Sequence, residues 1–185
     1  QVIYQQVLAR IRSGRIDAAM ALLDREPIPM EGIPLLRWQA EWNLAEAMRE
    51  RDRVAQAIDR IDDIFEASET MPFGLRLRMI WLRAVLASEA ERYADAVAYA
   101  DALIALLESE AGSNTLDRAV GRSAIASRAL LLKAKGLLYR EAEESGSGLL
   151  SPGVEAGLTV MEQLRREYPG EEAAVQSLLE EARFL

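Results

Sequence analysis

The sequence predicts an all-α fold, a right-handed α-solenoid of about four antiparallel helix hairpins closed by a terminal helix. Three observations predict it. Apolar residues recur at the i, i+3, i+4, i+7 spacing of a buried helix stripe, and no run alternates as a half-buried strand would. The breaks inside each pair are short, so successive helices must fold back on each other. A small residue also recurs at one helical phase, as Ala19, Ala57, Ala96 and Ala156, at intervals of 38, 39 and 60 residues. Helix pairs repeating every ~34 to 47 residues mark an α-solenoid, because one hairpin cannot bury its own apolar stripe whereas stacked hairpins share a core.

The elements follow in order. The clearest pair is residues 80–107, with Ile80, Ala84 and Ala87 on one face of its first helix and Ala96, Ala100 and Leu103 on the second. Before it, residues 1–13 place Ile3, Val7 and Ile11 on one stripe; Ser13-Gly14 breaks that helix, and a second runs from about Ile16 to Arg25. Pro27, Pro29 and Pro34 end this hairpin, since proline cannot continue a helix interior. Helices from about Pro34 to Glu50 and Arg53 to Ala67 make the next one, and Met71-Pro72-Phe73-Gly74 separates it from the central pair. Gly112-Ser113-Asn114 precedes a long segment, Thr115 to Glu143, in which Gly121 marks a kink or a separate short helix. Residues 145–153 are rich in Ser and Gly and read as a mobile loop. A helix over Val154–Glu167 completes a fourth hairpin, and Glu171–Leu185 is a terminal helix with no second half. The expected hairpins are therefore about 1–27, 34–68, 73–110 and 115–168, within one repeat domain.

Composition narrows the function classes. The net charge of −8 disfavours a general nucleic-acid binder, which needs a basic surface for phosphates. There is no cysteine for a thiolate metal site and no histidine, the commonest general base and metal ligand. No apolar run has the length of a membrane span, so no membrane insertion is expected. Twenty arginines to two lysines fit a GC-rich bacterial genome, with a soluble protein of the cytoplasm or periplasm as the expectation. The chain opens on Gln1 rather than Met, as a processed fragment of a longer protein would.

The pairs resemble tetratricopeptide (TPR) repeats. That family carries a Leu-Gly-like pair and then a large residue on each first helix, which here reads Leu44-Ala45 then Met48, Ala84 then Ala87, and Gly136 then Tyr139. The second helices carry Ala-x3-large as Ala19-x3-Leu23, Ala57-x3-Ile61, Ala96-x3-Ala100 and Ala156-x3-Val160, with Tyr93 at the usual aromatic place before Ala96. The repeats exceed the TPR length of about 34 residues, and are also similar to the longer sensor solenoids of large bacterial transcription activators. The resemblance implies that the first helices line a concave face. On it, Tyr4, Trp42, Trp81 and Lys133 occupy equivalent places, with Arg78 one turn away and Arg140 further on. Rings on such a lane would supply apolar area while Arg78, Lys133 and Arg140 meet carboxylates of a peptide. Trp at this spacing also fills space between hairpins, and Trp38 is assigned to packing.

Two other constellations carry chemistry on paper. Asp62-Asp63-x-x-Glu66, with Asp59, resembles the magnesium-binding motif of terpene and prenyl synthases, where hard carboxylates hold Mg²⁺ against a diphosphate. Those enzymes need a second facing cluster, which the sequence lacks, so a solvated helix face explains the run better. Arg118, Arg122, Arg128, Lys133, Lys135 and Arg140 make the long segment basic, whereas Asp59, Asp62, Asp63, Glu66, Asp95, Asp101, Glu108 and Glu110 make two other helices acidic. Pairing between helices is the expected use of most of these charges. Ser123, Ser127 and Ser151 have no histidine partner for a Ser-His triad.

The expected function is a non-catalytic protein–protein interaction or scaffold module with no cofactor, holding a peptide or partner surface, acidic in character, along the concave face. The alternative is an effector-sensing regulatory domain of a larger bacterial protein. The unpaired apolar face of the terminal hairpin would also suit a homodimer.

Overall fold

A computed structural model describes residues 2–25, 34–66, 71–109, 121–145 and 151–184, and of residues 34, 66 and 141–145 the backbone alone. All regular structure among the described residues is helical: α1 (Val2–Arg12), α2 (Ile16–Asp24), α3 (Pro34–Arg49), α4 (Val54–Glu66), α5 (Phe73–Glu89), α6 (Tyr93–Glu108), α7 (Arg122–Ser145), α8 (Pro152–Glu167) and α9 (Glu172–Phe184). None of these is long and apolar enough to cross a membrane. The residues gather into two compact units, 1–86 and 87–185, divided within α5.

In the first unit α1 packs on α2 and on α3, α2 also meets α3, and α3 packs on α4. The apolar stripes account for this. Val7, Ala19, Leu23, Leu44, Ala45, Met48, Ala57 and Ile61 are all at most 1% exposed, and Trp38 is in the core at 2%. In the second unit α7 is the central element, packed on α6, α8 and α9, while α9 also covers α8. One cluster joins Leu130 and Leu131 to Leu164 and Ala173, and a second joins Ala134 and Leu138 to Val154 and Met161.

The short breaks share one geometry. Gly14, Asp52 and Glu91 each have positive φ, at 75°, 59° and 60°. After each, an arginine N–H donates back five residues along the turn: Arg15 to the Arg10 carbonyl at 2.9 Å, Arg53 to Met48 at 3.0 Å and Arg92 to Ala87 at 2.8 Å. The left-handed residues themselves donate to Ile11, Arg49 and Ser88. This is the Schellman arrangement, which satisfies the last carbonyls of a helix and turns the chain back. The three turns are 38 and 39 residues apart, the same intervals as Ala19, Ala57 and Ala96, each of which is 0% exposed.

The fourth expected alanine departs from this pattern. Ala156 is exposed, and its neighbour Gly157 is the buried small residue of α8. A Cβ on Gly157 would stand 2.8 Å from Leu138 Cγ and 3.1 Å from the Ala134 carbonyl oxygen. The phase is shifted by one residue because α8 meets α7 at a distance only glycine allows. Helix α8 starts at Pro152, earlier than expected: the Ser151 side chain caps it by accepting from the Val154 N–H at 3.4 Å, and proline suits the first helical position. Helix α7 opens directly after Gly121, whereas Thr115–Val120 and residues 146–150 of the expected Ser/Gly loop lie outside the described residues.

Candidate functional site

Tyr4, Trp42 and Trp81, the rings of the expected lane, all belong to the first unit. Tyr4 on α1, Trp42 on α3 and Trp81 on α5 each precede by three residues a fully buried Val7, Ala45 or Ala84, and each is itself only half-buried. The three rings share one helical phase relative to the buried stripe residues Val7, Ala45 and Ala84. A ring one turn back from that stripe lies at its border, with one edge packed and the other in solvent. The Trp42 indole N–H is buried yet finds no acceptor among the described residues, and the same holds for Arg10 Nη1 on α1. An unsatisfied buried donor normally costs about 1–3 kcal/mol until an acceptor reaches it. Arg78 is exposed one turn before Trp81. Trp38 is core, as assigned, although its own N–H also lacks an acceptor.

Lys133 and Arg140 stand in the second unit, on α7. Lys133 Nζ is 2.7 Å from Asp101 Oδ1 on α6, so a ligand carboxylate there would have to displace an existing pair. Arg140 is half-buried, and its Nε is buried without an acceptor. Most of the basic character of α7 is consumed in the same way as that of Lys133. Lys135 pairs with Glu180 at 3.5 Å, Arg128 with Glu172 at 3.6 Å, and Arg122 Nη2 donates to the Leu107 carbonyl at 2.9 Å. Arg118 and Glu110 lie outside the described residues.

Asp62 in the acidic run is engaged by Arg83 Nε at 2.7 Å, and the same guanidinium lies 4.7 Å over the Phe65 ring. Asp59 and Asp63 are exposed, and the Glu66 side chain is not among those described. No group of three acidic residues that could hold a metal occurs among the described residues. The serines are occupied too: Ser127 Oγ donates to the Ala124 carbonyl, Ser123 Oγ to Glu171, and Ser151 caps α8.

The arrangement that sequence reasoning missed lies between α2, α3 and α4. Glu41 is 0% exposed on α3, and the Arg60 guanidinium meets it with two parallel bonds, both 2.8 Å. Arg37, one turn back on α3, adds a contact of 2.7 Å to Glu41, and its other terminal nitrogen donates to the Leu23 carbonyl at the end of α2 at 2.7 Å. Arg60 also donates to Asp24. Burial alone lowers the Arg60 pKa, but the hydrogen bonds and charge of Glu41, then of Asp24, outweigh it and raise the group above its ordinary range. The two charges are obligatory to each other, because a buried ion stripped of its partner is strongly unfavourable. Two signals in the sequence pointed here. Arg37 and Glu41 are spaced i, i+4. In addition, Asp17–Arg53 and Asp24–Arg60 share one separation, 36 residues, and the first is also paired, at 2.6 Å.

The second unit has an aromatic junction of its own. Tyr139 stacks on Tyr93 with centroids 5.6 Å apart and meets Phe184 edge-on at 6.0 Å. Its hydroxyl donates to Glu180 at 3.3 Å, and burial, then the Glu180 charge, raise its pKa. Gly136, one turn earlier, lets α7 approach α6: a Cβ there would be 2.7 Å from Val97 Cγ2. The junction joins α6, α7 and α9 within the second unit.

Compared with known proteins, the chain matches no family model, no curated protein and no solved structure.

Proposed function

We propose that the chain is a TPR-like α-solenoid segment, of right-handed hairpin stacking, that binds a peptide or a partner's surface through the side of its first unit carrying Tyr4, Trp42 and Trp81. The observation that carries this reading is the repeated half-buried ring. Three helices place an aromatic at the same border of the buried stripe, and the middle ring offers a buried N–H with no acceptor. Aromatics that are rigid, half-packed and able to donate are what peptide grooves use as anchors. Arg78 supplies the neighbouring positive charge for an acidic ligand residue. The stacking itself is supported by adjacency within each unit. The first helix of a hairpin meets the first helix of the preceding one (α3 on α1, α9 on α7), and also the preceding second helix (α3 on α2, α7 on α6, α9 on α8).

The test is selection of binders from a random peptide library displayed on phage, with wild type and a Trp42→Ala/Trp81→Ala variant shown by circular dichroism to stay helical. Enriched peptides that bind the wild type and lose at least about tenfold in affinity on the variant support the reading, as expected for two hot-spot rings. Peptides bound equally by both would remove the rings from the site.

A further inference from the structure

Helix α9 is apolar on two opposite faces. Ala173, Ala174 and Ser177 are buried against α7 and α8. On the far side Val175, Leu178 and Leu179 are 60%, 55% and 57% exposed, and Ala182 is exposed beside them. Positions 175, 178, 179 and 182 follow the i, i+3, i+4, i+7 rule, so they form one stripe about 100° wide. The other large exposed apolar residues among those described, Val2, Ile3 and Leu35, sit at helix starts and form no such stripe.

The flank of this stripe identifies what covers it. Glu172 in the first turn and Arg183 in the last are eleven residues apart, three helical turns, so both lie along the same edge of the stripe. A second copy of α9 laid antiparallel about a twofold axis sets Val175 near Ala182, Leu178 near Leu179, and Glu172 of each copy beside Arg183 of the other. A parallel pairing would put the two Glu172 side chains at the same end and match neither charge. We propose that the outer face of α9 is a self-complementary, antiparallel dimer contact between two copies of this chain. The pairs that Glu172 makes with Arg128 (3.6 Å) and Arg183 with Glu180 (3.2 Å) leave all but Glu180 more than half exposed, so these contacts are readily exchanged. The stripe is one helix face, smaller than the interfaces of stable complexes, so the dimer is a weak and reversible one.

Sedimentation equilibrium of the full chain, from a few micromolar to several hundred micromolar, tests it. The wild type is expected to shift from monomer to dimer across that range. Leu179→Glu should remain monomeric throughout, with an unchanged helical circular dichroism spectrum because the residue is exposed. Glu172→Arg and Arg183→Glu should each weaken association severalfold, and the double swap should return it towards the wild-type value. A wild type that stays monomeric throughout would overturn the proposal and leave the face to a different chain. Dimerisation that survives Leu179→Glu would overturn it by moving the contact elsewhere. A double swap no better than either single variant would overturn the antiparallel register.

Discussion

In the unit formed by residues 1–86, α2, α3 and α4 are tied together by charges that reach into the core; in the unit formed by residues 87–185, α6, α7 and α8 meet through glycines and rings. Glu41, fully buried, is held by Arg37 and Arg60. Gly136 and Gly157 occupy the corresponding role in the second unit, at places where any side chain would collide with the next helix. Apolar stripes dictate that helices pack together, but they leave open how each interface is filled. A buried ion pair fixes register and partner geometry at a desolvation cost, whereas a glycine contact gains close packing at a cost in chain entropy.

The largest expected effect breaks the first arrangement. Glu41→Ala leaves the Arg37 and Arg60 guanidinium groups facing each other in a largely dry interface, and should destabilise the protein by about 3–5 kcal/mol. Replacing the cluster together, as Arg37→Met/Glu41→Leu/Arg60→Met, should recover most of that loss, since apolar groups of similar volume need no partners. Urea unfolding midpoints at constant slope measure both. If Glu41→Ala costs less than about 1 kcal/mol, the network is no stronger than an exposed surface pair, and the contrast between the units disappears.

The next effect tests the second arrangement. Gly157→Ala should cost about 1–3 kcal/mol, because its Cβ would meet both Leu138 and the Ala134 backbone and one of the helices would have to retreat. Gly136→Ala should cost less, because the nearest atom, Val97 Cγ2, belongs to a side chain that can turn, although the Tyr93 carbonyl oxygen at 3.2 Å limits the room. Gly74→Ala, in α5 of the first unit, is the control: nothing lies within 4 Å, and ordinary helix propensity should make it stabilising by up to about 1 kcal/mol. Thermal unfolding of the three variants ranks them, and a neutral Gly157→Ala would show that α7 and α8 do not need their close approach.

These two arrangements also explain what could be read from the sequence. Val7, Ala45 and Ala84, and Ala19, Ala57 and Ala96, were legible because burial of an apolar or small residue at a fixed phase is periodic, and the repeat multiplies the signal. Trp42 and Trp81 were legible as ring positions on the same grounds. Ala156 misled because an alanine adjacent to a glycine satisfies the same pattern one residue out of phase, and the distance between two helices is a tertiary quantity. The burial of Glu41 was not legible, for a different reason, although its i, i+4 spacing from Arg37 was. In a helix rich in polar residues, Arg37, Glu41 and Glu46 look alike, and only the arrival of Arg60 from another helix makes one of them a core residue. Lys133 shows the same limit from the other side, since its phase on α7 is legible but its partner Asp101 on α6 is not.

The smallest effect concerns what the two units share. Gly14, Asp52 and Glu91 all carry the left-handed conformation of the same turn, yet only the first is a residue suited to it. A Cβ in that region crowds the following carbonyl at a cost of roughly 1–2 kcal/mol, reduced for aspartate, whose short side chain can bond locally. Glu91→Gly in the second unit should therefore stabilise the protein by about 1 kcal/mol, Asp52→Gly in the first by a smaller amount, and Gly14→Ala should destabilise it. The gain is partly offset because glycine adds freedom to the unfolded chain. The order among the three variants is therefore more informative than any single value. Chemical denaturation of each variant gives that order directly. A stabilisation by Asp52→Gly larger than that by Glu91→Gly would mean that the turn at Asp52 is under strain from its surroundings, and that the three turns are alike in hydrogen bonding but not in energy.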